Sequence, residues 1–297
     1  MIRRLSRSAE QAIDRLGREE RLDGPSDRLA VVVQRIFGGP RARTVLSGTR
    51  LGHPAHPALV AVPVGCWVSA SVLDATGMDE RAARQLTAVG TLAALPAAAT
   101  GANDWASTSG AERRVGLVHA LLNWIAICCY AASWRARRQR GRSAGAAWSV
   151  AGLTIASAAA FLGAHLAYAL GVGVDTTAFQ QFPLEWTDTA ADDLAPGEVR
   201  AVETAGIPLL VLNRDDDVIA MVDRCTHRGG PLHEGTFTAD CVTCPWHGSA
   251  FAISDGAVVT GPATRPQPLL QVRRQGGRIQ VRRAAEARTL RTNPTGR

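Results

Sequence analysis

CTHRGGPLHEG at Cys225–Gly235 and CPWHGSAFAISDG at Cys244–Gly256 are the two stretches that decide how the chain is read. The first holds Cys225 and His227 as C-x-H; sixteen residues further on, the second holds Cys244 and His247 as C-x-x-H. Each arm offers one thiolate and one imidazole, so the two together would supply four metal ligands, two of each kind. Gly229-Gly230-Pro231 follows the first arm and Gly248-Ser249 the second, residues that let a backbone turn closely around an inorganic group. Cys and His at short spacing also serve zinc, but common zinc arms pair C-x-x-C with H-x3-5-H, and a C-x-H arm is unusual among them. Cys241, the remaining nearby thiol, reads as an ordinary buried residue.

With GPATRP at Gly261–Pro266, these stretches resemble the Rieske 2Fe–2S domain family over roughly residues 182–283. The resemblance implies that Cys225 and Cys244 hold one iron, that His227 and His247 hold the other, and that the segment around Pro262 covers the cluster. It also implies the ferredoxin type. High-potential members carry an extra cysteine in each loop, joined as a disulfide, where this chain has Gly230 and Trp246. They also carry a tyrosine two residues beyond the serine; here Ser249 is present but that position is Phe251. One fewer hydrogen bond to the sulfurs lowers the expected potential. A Rieske oxygenase would add a large catalytic domain with a 2-His-1-carboxylate iron. Only a short arginine-rich stretch follows Arg283, so oxygenase catalysis is not expected.

The remaining two thirds of the chain are of another kind. Four apolar stretches, at about residues 57–73, 86–102, 115–134 and 146–174, carry almost no charge. At about 1.5 Å per helical residue, each is long enough to cross a hydrocarbon layer. Gly, Ala, Ser and Thr are frequent in them, as close helix packing in lipid requires. Trp67, Trp105, Trp124, Trp134 and Trp148 lie within or at the ends of the stretches, and several could anchor at the interface. The fold class expected is therefore multidomain: an N-terminal α-helical four-span membrane bundle and a C-terminal all-β Rieske domain. The boundaries are a basic amphipathic segment over 1–50, the bundle over 51–174, a linker over 175–196, the Rieske domain over 197–285 and a disordered tail over 286–297. No internal repeat is evident.

The bundle carries a second constellation. His53 and His56 precede or open the first span, His119 lies early in the third and His165 late in the fourth. In an up-and-down bundle all four fall toward one membrane face, together with Asn103-Asp104 and the start of the linker. Residues 51–174 resemble a family of four-helix bacterial membrane domains that opens on the same H-P-x-H-P motif and brings no established activity with it. Histidine inside a membrane often holds metal or haem, or relays protons. A haem b, with His119 and His165 as axial pair or either with His56, and a quinone contact are both open. So is a structural role, in which these histidines cap helices or meet headgroups.

The net charge of +7 comes from arginine alone, since lysine is absent, and the arginines lack the aromatic interleaving that stacks bases. Nucleic-acid binding is not expected. The six cysteines form no disulfide framework and demand no oxidising compartment. No cleavable signal is visible. The basic loop Arg135–Arg142, with Arg81 and Arg84, favours the cytoplasm for its own face. The opposite face carries Arg41, Arg43, Arg50, Arg113 and Arg114 and a long arginine-rich tail that is hard to translocate. Since iron–sulfur clusters are assembled inside the cell, both termini and the Rieske domain are expected in the cytoplasm. Within that domain, Val199–Glu203, Ile207–Leu212, Val218–Val222 and Ile279–Arg282 read as strands, with a turn at Asp215-Asp216-Asp217. The function expected is a membrane-anchored carrier of single electrons between a soluble reductase or ferredoxin partner and a membrane acceptor. The alternative is a sensor in which the cluster reports redox state or nitric oxide to the membrane domain.

Overall fold

The computed structural model describes residues 2–214 and 217–284, with side chains from Glu10 onward. The expected turn at Asp215-Asp216 and the tail over 286–297 lie outside the described residues. The chain divides into a helical unit ending at Val174 and a β unit beginning at Asp175.

The helical unit holds α1 (Ile2–Arg18), α2 (Asp23–Phe37), α3 (Pro40–Leu46), α4 (Ala55–Ala75), α5 (Glu80–Trp105), α6 (Gly110–Gln139) and α7 (Arg142–Tyr168). The amphipathic α1 lays Ile13 and Leu16 against Val115 of α6 and Leu162 of α7. Helix α2, whose Ala30 and Val33 cover Trp105, is tied to the start of α6 by Arg114, which grips Asp23 with both nitrogens, and by Arg113 on Asp27. Hydrogen bonding to Arg114 holds the Asp23 carboxyl below its ordinary range.

Helices α4, α6 and α7 are long and apolar enough to cross a membrane. The fourth expected span lies inside α5, which has the length, but whose Ala-, Thr- and Gly-rich middle is less apolar than the other three.

Contrary to the sequence reading, the bundle is an internal repeat. Hairpins α4–α5 and α6–α7 match position for position. His56, Cys66, Trp67 and Asp74 on α4 correspond to His119, Cys129, Tyr130 and Arg137 on α6, each 63 residues later. Gly90, Ala97 and Gly101 on α5 correspond to Gly152, Ala159 and Gly163 on α7, each 62 later. The local packing repeats as well. Gly90 leaves room for the Trp67 ring and the Cys66 Cβ, and Gly152 for the Tyr130 ring and the Cys129 Cβ.

Counterparts also meet one another. The His56 and His119 rings lie 6.5 Å apart, Trp67 and Tyr130 stack at 4.1 Å and 6°, and Arg137 donates twice to Asp74 at 2.8 and 2.5 Å. Three self-facing pairs in register define a pseudo-two-fold axis along the bundle. Parallel repeats about such an axis recur in membrane proteins.

The β unit contains β1 (Thr187–Asp188), β2 (Val199–Thr204), β3 (Ile207–Arg214), β4 (Asp217–Val222), β5 (Thr236–Phe237), β6 (Cys241–Thr243), β7 (Ala250–Ala252), β8 (Val258–Thr260), β9 (Leu269–Gln275) and β10 (Arg278–Arg283). One antiparallel sheet runs β1-β10-β9-β4-β3-β2 and a second β5-β6-β7-β8. The alternation of β3 separates two cores. Leu209 and Val211 join Ala220, Val222, Ile279 and Val281 on one face. Leu210 and Met221 join Leu232, Val242, Phe251, Cys225 and Cys244 on the other.

The segment read as a linker is part of this fold. Strand β1 pairs with β10, Trp186 is held between the guanidinium groups of Arg273 and Arg282, and Ala191 and Leu194 are buried in the first core. A polar, turn-rich composition hid it because only two residues join the ladder and the rest fold over an edge.

Candidate metal centre

The two Cys–His arms are loops at strand ends, one after β4 and the other joining β6 to β7. They close in the same way. Cys225 N–H donates to Gly230 O, and the Cys225 carbonyl accepts from Gly229 N–H, at 2.9 and 2.8 Å. Cys244 N–H donates to Ser249 O and its carbonyl accepts from Gly248 N–H, at 2.8 and 3.1 Å. Gly229 and Gly248 both take positive φ, 76° and 72°, the left-handed conformation that tightens each loop and that a side chain disfavours.

The ligands sort by kind. The Cys225 and Cys244 thiols, both free and buried, are hydrogen-bonded to each other. The His227 and His247 rings lie 5.1 Å apart at 84°. Two sulfurs together and two imidazoles together is the donor set of a binuclear centre with unlike irons, and these four residues could hold one. Among the described residues, no three Cys, His, Asp or Glu side chains converge as they would on a single zinc.

The electrostatics suit bound cations. Cys244 is pushed down by the hydrogen bond from Cys225 and by the N–H groups of Trp246 and His247. Cys225 is pushed up by that same bond, by burial and by the charge of its neighbour. The shared hydrogen bond and the loop N–H groups thus favour negative sulfur at Cys244.

Gly230 shows how tightly the loops close. A Cβ there would stand 2.8 Å from the Cys244 Sγ and 3.0 Å from the Trp246 ring, so the position cannot carry a disulfide-forming cysteine without displacing both. Phe251, at the position of the missing tyrosine, is wholly buried in the core beneath the loops. Ser249 accepts the N–H of Ala263 and so fixes the third segment, Gly261–Pro266, against the second loop.

Three supports had not been read from the sequence. Buried Gln267 accepts the Thr226 N–H and donates to Val222 O and Arg224 O, pinning the first loop to the strand it leaves. Asp223 accepts from the N–H and ring nitrogen of His233 at 2.7 and 2.6 Å, bracing the far side of the same loop. Thr176, at the start of the expected linker, donates its hydroxyl to Cys225 O and its N–H to Thr226 O. Single Gln, Asp and Thr residues carry no pattern by which a sequence announces such roles.

In the helical unit the structure brings together His56 and His119. His53 is exposed in the turn before α4, and half-buried His165 forms no three-ligand group with that pair.

Two antiparallel sheets carrying two such loops define an iron–sulfur protein of the Rieske class. The chain belongs to the Rieske [2Fe-2S] domain family, which matches residues 186–278; the predicted membrane protein family DUF2231 matches residues 52–176. The ferredoxin CarAc of Metapseudomonas resinovorans is 38% identical over 93 residues, covering 31% of this chain and 87% of that protein. The anthranilate 1,2-dioxygenase ferredoxin subunit of Burkholderia cepacia is 33% identical over 98 residues, covering 33% of this chain and 91% of that protein. Among solved structures, the ferredoxin of carbazole 1,9a-dioxygenase from Nocardioides aromaticivorans IC177 is 28% identical with a TM-score of 0.31, covering 33% of this chain and 98% of that one.

Proposed function

We propose that this protein is a membrane-anchored electron carrier of the ferredoxin type. Cys225 and Cys244 hold one iron of a 2Fe–2S cluster, and His227 and His247 hold the other. When bound, the cluster supplies a one-electron couple. The chain's own residues set its environment: the loop N–H groups favour negative sulfur, and Phe251 offers it no hydroxyl. The observation that carries the reading is the pairing of sulfur with sulfur and imidazole with imidazole at adjoining loop tips.

The membrane assignment rests on which residues face outward. Apart from a few large side chains such as Trp67, Tyr130 and Ile127, many buried positions of the bundle are small, among them Ala70, Ala83, Gly90, Ala126, Ser149 and Ala159. The large apolar side chains face out instead: Val64, Val68 and Val72 on α4, Leu121 and Ile125 on α6, Val150 and Phe161 on α7. Helix α5 does the same with Val89, Leu92 and Leu95, which supports a fourth span despite its lower apolarity. Exposing such a surface to water would be costly, whereas lipid accepts it. With four spans, the Rieske domain shares a face with the arginine-rich N-terminal segment and with Arg41, Arg43, Arg50, Arg113 and Arg114. This face lies in the cytoplasm, where an iron–sulfur cluster is assembled, and the basic loop Arg135–Arg142 lies on the other face. Relatives named as ferredoxin components of dioxygenases support a protein redox partner for this carrier.

The test is electron paramagnetic resonance of the reduced full-length protein in detergent. A single cluster with an average g below that of an all-cysteine centre is expected, lost in both His227→Ala and His247→Ala. Protein that purifies with zinc and no acid-labile sulfide refutes the reading.

A further inference from the structure

His56 and His119 face each other across the pseudo-two-fold axis, with ring centres 6.5 Å apart and planes at 84°. Each Nδ1 lies 2.8 Å from a backbone carbonyl on the second helix of its own hairpin, Ala97 O for His56 and Ala159 O for His119. A carbonyl can only accept, so in the neutral ring the proton sits on Nδ1 and the lone pair on Nε2. Gly101 and Gly163 stand four residues beyond those carbonyls. A Cβ at either would come within 2.7 Å of the His56 ring or 3.0 Å of the His119 ring, so both glycines let an imidazole lie flush on its helix. Two neutral imidazoles, each oriented through Nδ1 by a backbone acceptor, present the form in which histidine binds metal.

The spacing fits one metal between them. Two imidazoles in line on a single ion, with metal–nitrogen bonds of about 2.0–2.1 Å, have ring centres roughly 6.3 Å apart. The Asn123 amide nitrogen, which donates to His119 O at 2.9 Å, lies 3.2 Å from the His119 Nε2 and 3.5 Å from its Nδ1. Among the described residues no third ligand side chain joins the pair, which is unsuited to four-coordinate zinc. The metals served by two protein nitrogens in line are haem iron, whose macrocycle fills its other positions, and cuprous ion. Both exchange one electron.

We propose that His56 and His119 hold, through their Nε2 atoms, one redox metal centre inside the helical bundle, either haem iron or copper. The binding claim stands on this geometry; only its use, as the membrane acceptor of the carrier, rests on the function proposed above.

The experiment uses full-length protein purified from membranes in mild detergent, then incubated with haemin or with cuprous ion. Oxidised and reduced spectra, metal analysis and sulfide analysis are read per chain. One b-type haem, or one copper, beyond the iron of the cluster is expected, and the two arms distinguish the sources. His56→Gly and His119→Gly should each lower its occupancy at least tenfold and recover it with added imidazole, while His53→Ala and His165→Ala keep it. The cluster signal, read in the same samples, reports separately on the Rieske assignment. Paramagnetic resonance of the oxidised wild-type centre should show two imidazole nitrogens, a readout independent of how the variants fold. No stoichiometric haem or copper in either arm, a centre lacking two imidazole nitrogens, or one retained in both glycine variants would overturn the proposal.

Discussion

Replacing Gly230 with alanine adds one carbon at the most crowded point of the candidate metal centre. Its φ is not positive, so the backbone imposes no penalty and the whole effect comes from collision. The new Cβ would stand 2.8 Å from the Cys244 Sγ and 3.0 Å from two Trp246 ring atoms. Comfortable carbon contacts lie at about 3.5–4.0 Å, so the methyl intrudes by roughly 1 Å on two neighbours at once. Trp246 is more than half exposed and can swing away, but Cys244 is buried and its loop is closed by the bonds to Ser249 and Gly248. Overpacking of this kind costs about 1–3 kcal/mol, which for a domain of this size is about 5–20 °C in unfolding temperature. Because the atom displaced is a ligand sulfur, cluster loading should fall along with stability. The assay is acid-labile sulfide per chain alongside thermal unfolding of the β unit within the full-length protein. Gly229→Ala is the control, since it strains a φ of 76° but meets only the flexible Arg224 side chain. It should cost stability with less effect on loading. Full loading and an unchanged melt in Gly230→Ala would refute the picture of two loops closed to contact.

Three further outcomes follow from the same geometry. With Phe251 in place of a hydroxyl donor, the cluster midpoint is expected in the lower Rieske range, roughly −150 to 0 mV, and Phe251→Tyr should raise it in a redox titration; a midpoint above about +200 mV refutes the ferredoxin assignment. Asp74→Asn leaves Arg137 buried beside an uncharged partner and should cost about 3–5 kcal/mol, read as loss of thermal stability in detergent. The Asp74→Arg, Arg137→Asp double variant should regain most of it, because the axis makes the two sites near-equivalent; no recovery refutes that equivalence. At the sheet edge, Gln280 and then Arg278 hold the Asp188 carboxyl below its ordinary range. The carboxylate's contribution is therefore complete above about pH 4 and is lost as pH falls below it, so the acid-side drop in melting temperature should be smaller in Asp188→Asn.

The cluster loops were legible because metal chemistry fixes ligand type and spacing, and C-x-H with C-x-x-H leaves few alternatives. The long strands were legible for a similar reason: β2, β3, β4 and β10 are long enough for alternation to register. Strands β5 to β8 have two or three residues each, too few for any period to emerge, and β9 carries polar residues on both faces. The linker misreading has the same root, since β1 contributes two residues and its neighbours Ala191 and Leu194 are isolated apolar positions in an acidic stretch. The repeat in the bundle was hidden differently. Its matching positions are Gly and Ala in a background already rich in both, while its informative positions differ between halves. The spacing H-x10-W-x6-D against H-x10-Y-x6-R was nonetheless present in the sequence, together with G-x6-A-x3-G twice.

That mixture of identity and difference has a physical reason. About a two-fold axis, every axial residue faces its own counterpart, so an association of two identical hairpins would set aspartate against aspartate or arginine against arginine in a low-dielectric interior. An aspartate pair there would have to take up a proton, and an arginine pair, which cannot shed one, would repel strongly. Covalent fusion of the hairpins frees the halves to differ, and the closed pair Asp74–Arg137, with Ser133 and Ser149 completing the arginine's bonds, is available only to a single chain. Trp67 on Tyr130 is the aromatic version, two unlike rings sharing one gap. At the other end the halves have not diverged. Both positions are histidine, both bond a carbonyl of the paired helix, and both lie on a glycine. Two like groups across an axis suit a single ion centred on that axis, as the metal centre proposed above requires.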